Sequence, residues 1–140
     1  MKRTLVFALS ILVGMVSFAQ KPTYDEIRAM SPSDGLGYAL EMYELYEPHI
    51  VMAQAVLETG WYKSELSVKH GNLFGIYDSV NKCYKHYDHW IESVKDYRDL
   101  VQSKYNGGDY FEFLERIGYA SDPDYIKKVK TISEQFIDYE

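Results

Sequence analysis

Between Pro48 and Thr59 the chain carries a helix-length segment with no polar face. From position 50 to 57 only Gln54 is polar; Glu58, Thr59 and Gly60 then follow at once. Apolar residues that surround a helix, and do not form one stripe along it, mark it as buried in the middle of a domain. Pro48 suits a first helical turn and Gly60 a helix end. Any fold for this chain must wrap other elements around this segment, and must find a use for an acid at its end.

The elements available for wrapping are mostly helical. Thr23-Tyr24-Asp25-Glu26 has the form of a capping box and predicts a short helix ending near Met30. Ser31-Pro32-Ser33-Asp34-Gly35 reads as a break. Leu36, Ala39, Leu40, Tyr43 and Tyr46 then recur at helical spacing up to Glu47-Pro48. Beyond Gly60, Gly71-Asn72-Leu73-Phe74-Gly75 reads as a loop. Residues 74–77 and 83–87 pair as a small hairpin across Asp78-Ser79-Val80-Asn81. A helix capped by Asp88 places Trp90, Val94, Tyr97 and Val101 on one face. Asn106-Gly107-Gly108 is a turn, and Asp109 and Glu112 frame a short helix ending at Gly118. Asp122-Pro123 starts the last helix, with a buried stripe of Ile126, Val129, Ile132 and Phe136. The fold class read from this pattern is mainly α, an α+β domain with one small β-hairpin.

The first residues stand apart. Lys2 and Arg3 precede an apolar run over residues 5–18, and Ser17-Phe18-Ala19 carries small residues where a signal peptidase reads. Residues 1–19 are read as a secretory signal, cleaved before Gln20, with one domain over 20–140. The run falls short of the ~20 residues that span a bilayer, so no membrane anchor is expected after cleavage. The expected location is periplasmic or secreted. Loss of Lys2 and Arg3 takes the formal charge from −6 to roughly −8, a sign that repels nucleic-acid phosphates. Nucleic acid is therefore not an expected partner. Cys83 is the single cysteine, which excludes an intramolecular disulfide.

Tyrosine is abundant, 14 of 140 residues. An aromatic-rich core with wet hydroxyls is one reading; a groove lined for stacking on sugars is the other. Composition alone favours the first. Cys83, His86, Asp88 and His89 superficially suggest a metal site, but a strand running into a helix scatters such side chains. No metal and no cofactor are expected. Trp61 reads as a core anchor more readily than as a floor for a sugar ring, and Trp90 as core. Lys127, Lys128 and Lys130 form a solvated helix face.

Glu58 sits where two effects raise a carboxylate's pKa. Apolar neighbours strip water from it, and the carbonyl end of its own helix carries partial negative charge. A carboxyl still protonated near neutral pH is what a general acid for glycoside cleavage requires. On periodicity alone, a glutamate pointing to water from a helix end is the commoner arrangement.

Three stretches in order, "AQAVLETGW" at 53–61, "NLFGIY" at 72–77 and "YASDPDY" at 119–125, resemble the glucosaminidase family, glycoside hydrolase family 73. The resemblance runs from about residue 43 to the C-terminus. It implies a lysozyme-like fold and a hydrolase that cuts β-1,4 bonds next to N-acetylglucosamine, with the glycan strands of peptidoglycan as partner and a monomer as the working state. Under it Glu58 matches the family's acid in the AQA-x-LE[ST]GWG pattern, and Asn72 and Phe74 match the NLFG loop beside it. Tyr119 matches the tyrosine facing the acid, and Asp122, Pro123 and Tyr125 complete the third motif. Trp61, Asn72, Phe74, Tyr77 and Tyr125 are then the expected substrate-binding residues, with Glu58, Tyr119 and Asp78 catalytic.

Two departures stand out. Tyr62 replaces the glycine after the Trp, and only Asp78 supplies an acid in the short stretch from 76 to 86. An inverting pair needs carboxyls ~6.5–9.5 Å apart, and Asp78 serves if the hairpin folds over the cleft. Otherwise the substrate's own acetamido group, or intramolecular attack, replaces the base. Muramidase or lytic-transglycosylase chemistry on the same substrate, and a catalytically weak wall-binding protein, are the alternative functions.

Overall fold

The structure is a computed structural model that describes residues 19–139, so the expected leader lies outside the described residues but for Ala19. The helices are α1 (Tyr24–Ala29), α2 (Pro32–Met42), α3 (Pro48–Thr59), α4 (Glu65–Val68), α5 (Trp90–Leu100), α6 (Tyr110–Arg116) and α7 (Tyr125–Ser133). Two strands, β1 (Tyr77–Asp78) and β2 (Cys83–Tyr84), pair antiparallel with Tyr77 opposite Tyr84. Short 3-10 segments, Gln102–Lys104 and Glu134–Tyr139, follow α5 and α7. The chain is thus mainly α with one small hairpin. No helix among the described residues is long and apolar enough to cross a membrane.

Helix α3 is the hub that its sequence demands. It packs against α7 and the 3-10 segment that follows it, and against α2 and α4. Ile50, Val51, Met52, Ala53, Gln54, Ala55 and Val56 are all buried. Helix α5 closes the other side through α2, with Trp90, Ile91, Val94 and Tyr97 buried and the Trp90 Nε1–H donating to the Met30 carbonyl.

Several helix boundaries differ from the sequence reading, each for a local reason. The break between α1 and α2 is only Met30 and Ser31, and the Ser31 hydroxyl accepts from the Asp34 amide, so Pro32–Gly35 is already helical. Helix α2 stops at Met42 because Glu44 and Glu47 take positive φ values of 56° and 50°. Helix α5 is capped by His89 and not by Asp88: Nδ1 accepts from the Ile91 amide while Nε2 contacts the Arg28 carbonyl. Helix α7 begins at Tyr125, because Asp122 Oδ1 accepts from the Asp124 amide and forms a turn first. Its buried stripe is therefore Tyr125, Val129 and Ser133, with Ile126, Ile132 and Phe136 only partly covered. Helix α4 was not legible in its sequence.

Candidate active site

Glu58 and Gln54 lie four residues apart on α3, so both side chains project from one face. The helix ends just beyond them in a left-handed turn: Gly60, Trp61 and Tyr62 have φ of 54°, 59° and 61°. Consecutive left-handed residues other than glycine are strained. Thr59 holds this turn, its hydroxyl donating to the Ala55 carbonyl at 2.6 Å and accepting from the Tyr62 amide at 2.9 Å. The helix end, and with it Glu58, is fixed by hydrogen bonds rather than left to fray.

Glu58 faces the loop before β1. A β-carbon built on Gly75 would stand 2.7 Å from Glu58 Oε2 and 3.2 Å from Cδ, and Gly75 has φ of +65°. The glycine is therefore required twice, by conformation and by contact. Burial pushes the Glu58 carboxyl above its ordinary value, and a hydrogen bond from the Tyr125 hydroxyl partly offsets that rise. Desolvation wins, so the acid form persists to higher pH than in water.

The loop itself is built by side chains that the sequence reading gave to substrate. Asn72 is wholly buried, donating to the carbonyls of Ile76 (2.8 Å) and Lys85 (3.0 Å) and accepting from the Ile76 amide (3.0 Å). Its amide is saturated within the protein. The Phe74 ring is buried 4.5 Å from that of Tyr97, and the Phe74 carbonyl accepts from the Tyr119 hydroxyl at 2.7 Å. Tyr119 is half-buried and stacks on Tyr125 at 5.6 Å. Tyr125 is itself buried, its oxygen accepting from Gln54 Nε2 at 3.1 Å. Asn72, Phe74 and Tyr125 thus shape the site from behind, because a tight loop must satisfy its own backbone before it can offer groups to a ligand.

The remaining expected residues lie on the surface. Tyr77 is exposed on β1, edge-on to Tyr84 at 5.5 Å. Asp78 closes the hairpin turn: one oxygen accepts from the Val80 and Asn81 amides and the other from Asn81 Nδ2 at 2.7 Å. These bonds hold its carboxyl below the ordinary value. Trp61, a core anchor by its neighbours and a substrate-binding residue by the resemblance, is 52% exposed. It lines a groove of about 1010 Å³ with Tyr38, His49, Met52, Tyr62 and Phe136, and Glu58 is not in its wall. Met52 and Val56 face this groove, and Glu58 is two residues, some ~200° of helix rotation, beyond Val56. Groove and acid occupy different faces of α3. Among the cysteine and histidines first considered for metal, His89 caps α5, and His86 meets His70 ring to ring at 5.4 Å.

Sequence reasoning missed Gly75 as the acid's neighbour, and gave Tyr97 to the core and Gln54 to nothing. The signal for Gln54 was present, as the single polar residue in an apolar helix, one turn before the acid.

A buried helix that delivers a desolvated glutamic acid against a glycine loop, with two tyrosines behind it, defines a lysozyme-like class of domain. The family described as mannosyl-glycoprotein endo-beta-N-acetylglucosaminidase matches residues 37–138, and the chain belongs to this glucosaminidase family. It is 33% identical to the exo-glucosaminidase LytG of Bacillus subtilis (strain 168), over 71% of this chain and 48% of that protein. It is 28% identical to the peptidoglycan hydrolase FlgJ of Pseudomonas aeruginosa, over 64% of this chain and 32% of that one. The chain thus spans less than half the length of these two relatives. The catalytic domain of the autolysin Auto from Listeria monocytogenes has the same fold, with a TM-score of 0.56 at 23% identity, covering 98% of this chain and 100% of that domain.

Proposed function

We propose that this protein is an exported peptidoglycan hydrolase that cuts within glycan strands at the β-1,4 bond next to N-acetylglucosamine, with Glu58 as general acid. The observation that carries this reading is the Glu58 carboxyl, raised by burial and held against Gly75. Family membership supports the glycosidase chemistry, and the relatives' names, peptidoglycan hydrolase and exo-glucosaminidase, support the substrate. The endo-acting description of the matching family supports internal cleavage. Export rests on the charged start and apolar run before residue 20.

Glu58 gives its proton to the glycosidic oxygen as the bond from that oxygen to the anomeric carbon breaks. The second partner of the reaction does not come readily from Asp78, whose two oxygens are engaged in the hairpin turn. The acetamido oxygen of the N-acetylglucosamine unit attacks the anomeric carbon instead, forming a cyclic oxazolinium ion. Water then opens that ring and Glu58, now a carboxylate, takes the water's proton. The acid is restored and one water has been consumed.

Purified protein run against wall material in a zymogram, followed by mass spectrometry of borohydride-reduced products, tests this. Reduced N-acetylglucosamine ends on products of mixed length are expected. Reduced N-acetylmuramic acid ends would give the muramidase reading, anhydro ends the transglycosylase reading, and terminal sugars alone an exo mode. No cleavage at all would leave a wall-binding protein.

A further inference from the structure

Five buried polar side chains are linked by hydrogen bonds into one line, and the line ends on Tyr125, beside Glu58. It starts at a backbone anchor. Gln102 Oε1 accepts from the Tyr46 amide at 2.9 Å and Gln102 Nε2 donates to the Tyr46 carbonyl at 2.8 Å. An amide N–H only donates and a carbonyl only accepts, so the Gln102 side chain has one permitted orientation. Its Nε2 also donates to the Tyr110 hydroxyl at 2.9 Å.

Each later direction follows from this one. The Tyr110 oxygen already accepts from Gln102, and its single proton goes to Tyr97, 2.8 Å away. The Tyr97 proton goes to Gln54 Oε1 at 2.5 Å. That fixes the Gln54 amide, whose Nε2 donates to the Tyr125 oxygen at 3.1 Å. The Tyr125 proton is then left over, and Glu58, one turn beyond Gln54 on the same face of α3, is the carboxyl beside it that can accept it. Turning the Gln54 amide around would reverse Tyr97 and strand the Tyr110 proton in the core. Gln54, Tyr97, Tyr110 and Gln102 are between 0% and 4% exposed, so no solvent is at hand to take such a proton.

We propose that this line, running from the Tyr46 backbone through Gln102, Tyr110, Tyr97, Gln54 and Tyr125, orients the proton of Glu58. Tyr125 is compelled to donate, so the carboxyl oxygen that faces it must be the accepting one. The acidic hydrogen is therefore carried by the other oxygen, away from Tyr125. With Tyr125 free to turn, the carboxylic acid would donate inward and its proton would be lost to the cleft. Gln54, Tyr97, Tyr110 and Gln102 are positioning residues that act only through Tyr125. The proposal rests on the reading of Glu58 as the acid, but the line as far as Tyr125 stands on geometry.

The titratable groups facing Glu58 are Tyr125, from α7, and Tyr119, from the segment after α6. The Tyr119 hydroxyl is committed to the Phe74 carbonyl, which leaves Tyr125 as the donor that can shift the acid. The experiment follows the Glu58 side-chain carboxyl by carbon-13 NMR through a pH titration, in the full chain with labelled glutamate. Tyr97→Phe breaks the line two links away and weakens the Tyr125 donation to the carboxylate, so the midpoint should rise by about half a unit or more. In a Tyr125→Phe background the same substitution should move the midpoint no further.

A midpoint unmoved by Tyr97→Phe overturns the proposal, as does a shift that persists once the Tyr125 hydroxyl is gone. Tyr110→Phe supplies the same readout one link further out, with a smaller rise, and decides the matter should Tyr97→Phe not fold. Wall cleavage is measured in parallel, where Tyr97→Phe should lower kcat about tenfold with KM unchanged and move the basic limb of the pH profile upward. If the carboxyl shifts as described but the wild-type protein cleaves no wall material, the glycosidase reading falls and the hydrogen-bonded line remains.

Discussion

Gly75 lies so close to Glu58 that a β-carbon there would stand 2.7 Å from the carboxyl oxygen Oε2. The loop backbone forms one wall of the acid's pocket, and its missing side chain is what admits the carboxyl. Backbone and acid are held by different devices. The loop hangs on Asn72 and on the Tyr119 hydroxyl, and the acid on its helix and on Tyr125.

Gly75→Ala therefore separates stability from activity. The left-handed conformation should cost ~1–2 kcal/mol in a residue with a β-carbon. The clash falls on the end of a flexible side chain, so Glu58 yields and the backbone does not. A displacement of the reacting group by about 1 Å costs roughly 100-fold in rate. Urea denaturation and initial rates on purified wall material check this; full activity in the variant would show that the carboxyl has slack.

Tyr119→Phe should destabilise. A hydroxyl reaching into the cleft for substrate would be dispensable to folding, but this one is donated to the Phe74 carbonyl at 2.7 Å. Leaving that acceptor unpaired costs ~1–3 kcal/mol. Turnover should fall with the loop's position, with KM less affected. A loss of stability below ~0.3 kcal/mol would mean that water replaces the hydroxyl.

Much of this was legible in the chain, and what was not has a physical cause. Helix α3 was read with its observed bounds because Pro48, Gly60 and an all-round apolar surface are local signals. The roles of Asn72, Phe74 and Tyr125 were not, because a motif reports that residues belong near a site and not whether they face it. Asn72 spends its amide on Ile76 and Lys85, one of them 13 positions away, a pairing no local pattern reveals. The reading of Trp61 as a core anchor failed for a similar reason. Its apolar neighbours argue for burial, but a left-handed turn at 60–62 carries it out of the core.

Asp78→Asn tests the origin of the second catalytic group. The asparagine carbonyl still accepts from the Val80 and Asn81 amides, so the hairpin should hold, with stability within about half a kcal/mol. Activity should fall less than about threefold if the substrate's acetamido group attacks the anomeric carbon. A loss comparable with that of general-acid removal, ~10²-fold or more, would instead establish a two-carboxylate inverting route.

Glu58→Gln should abolish cleavage and stabilise the fold together. Glutamine keeps an oxygen to accept from Tyr125 but has no proton to give, so turnover should drop ~10²–10⁴-fold. The stability effect follows from the raised carboxyl. The folded state binds this proton more tightly than the unfolded state, in which glutamate titrates near 4.5. Below that value both states are protonated and the acid adds no penalty. As pH rises through 4.5 the unfolded state ionises first, and wild-type stability falls until the folded carboxyl has ionised too. Glu58→Gln removes this slope, so its advantage in melting temperature should be absent near pH 4, grow above 4.5, and level off once the raised value is passed. Wild-type turnover should decline over the upper part of that window, as the acid form is lost. A variant no more stable than wild type at pH 7 would mean that the carboxyl is well solvated, and retained cleavage would remove Glu58 from the reaction.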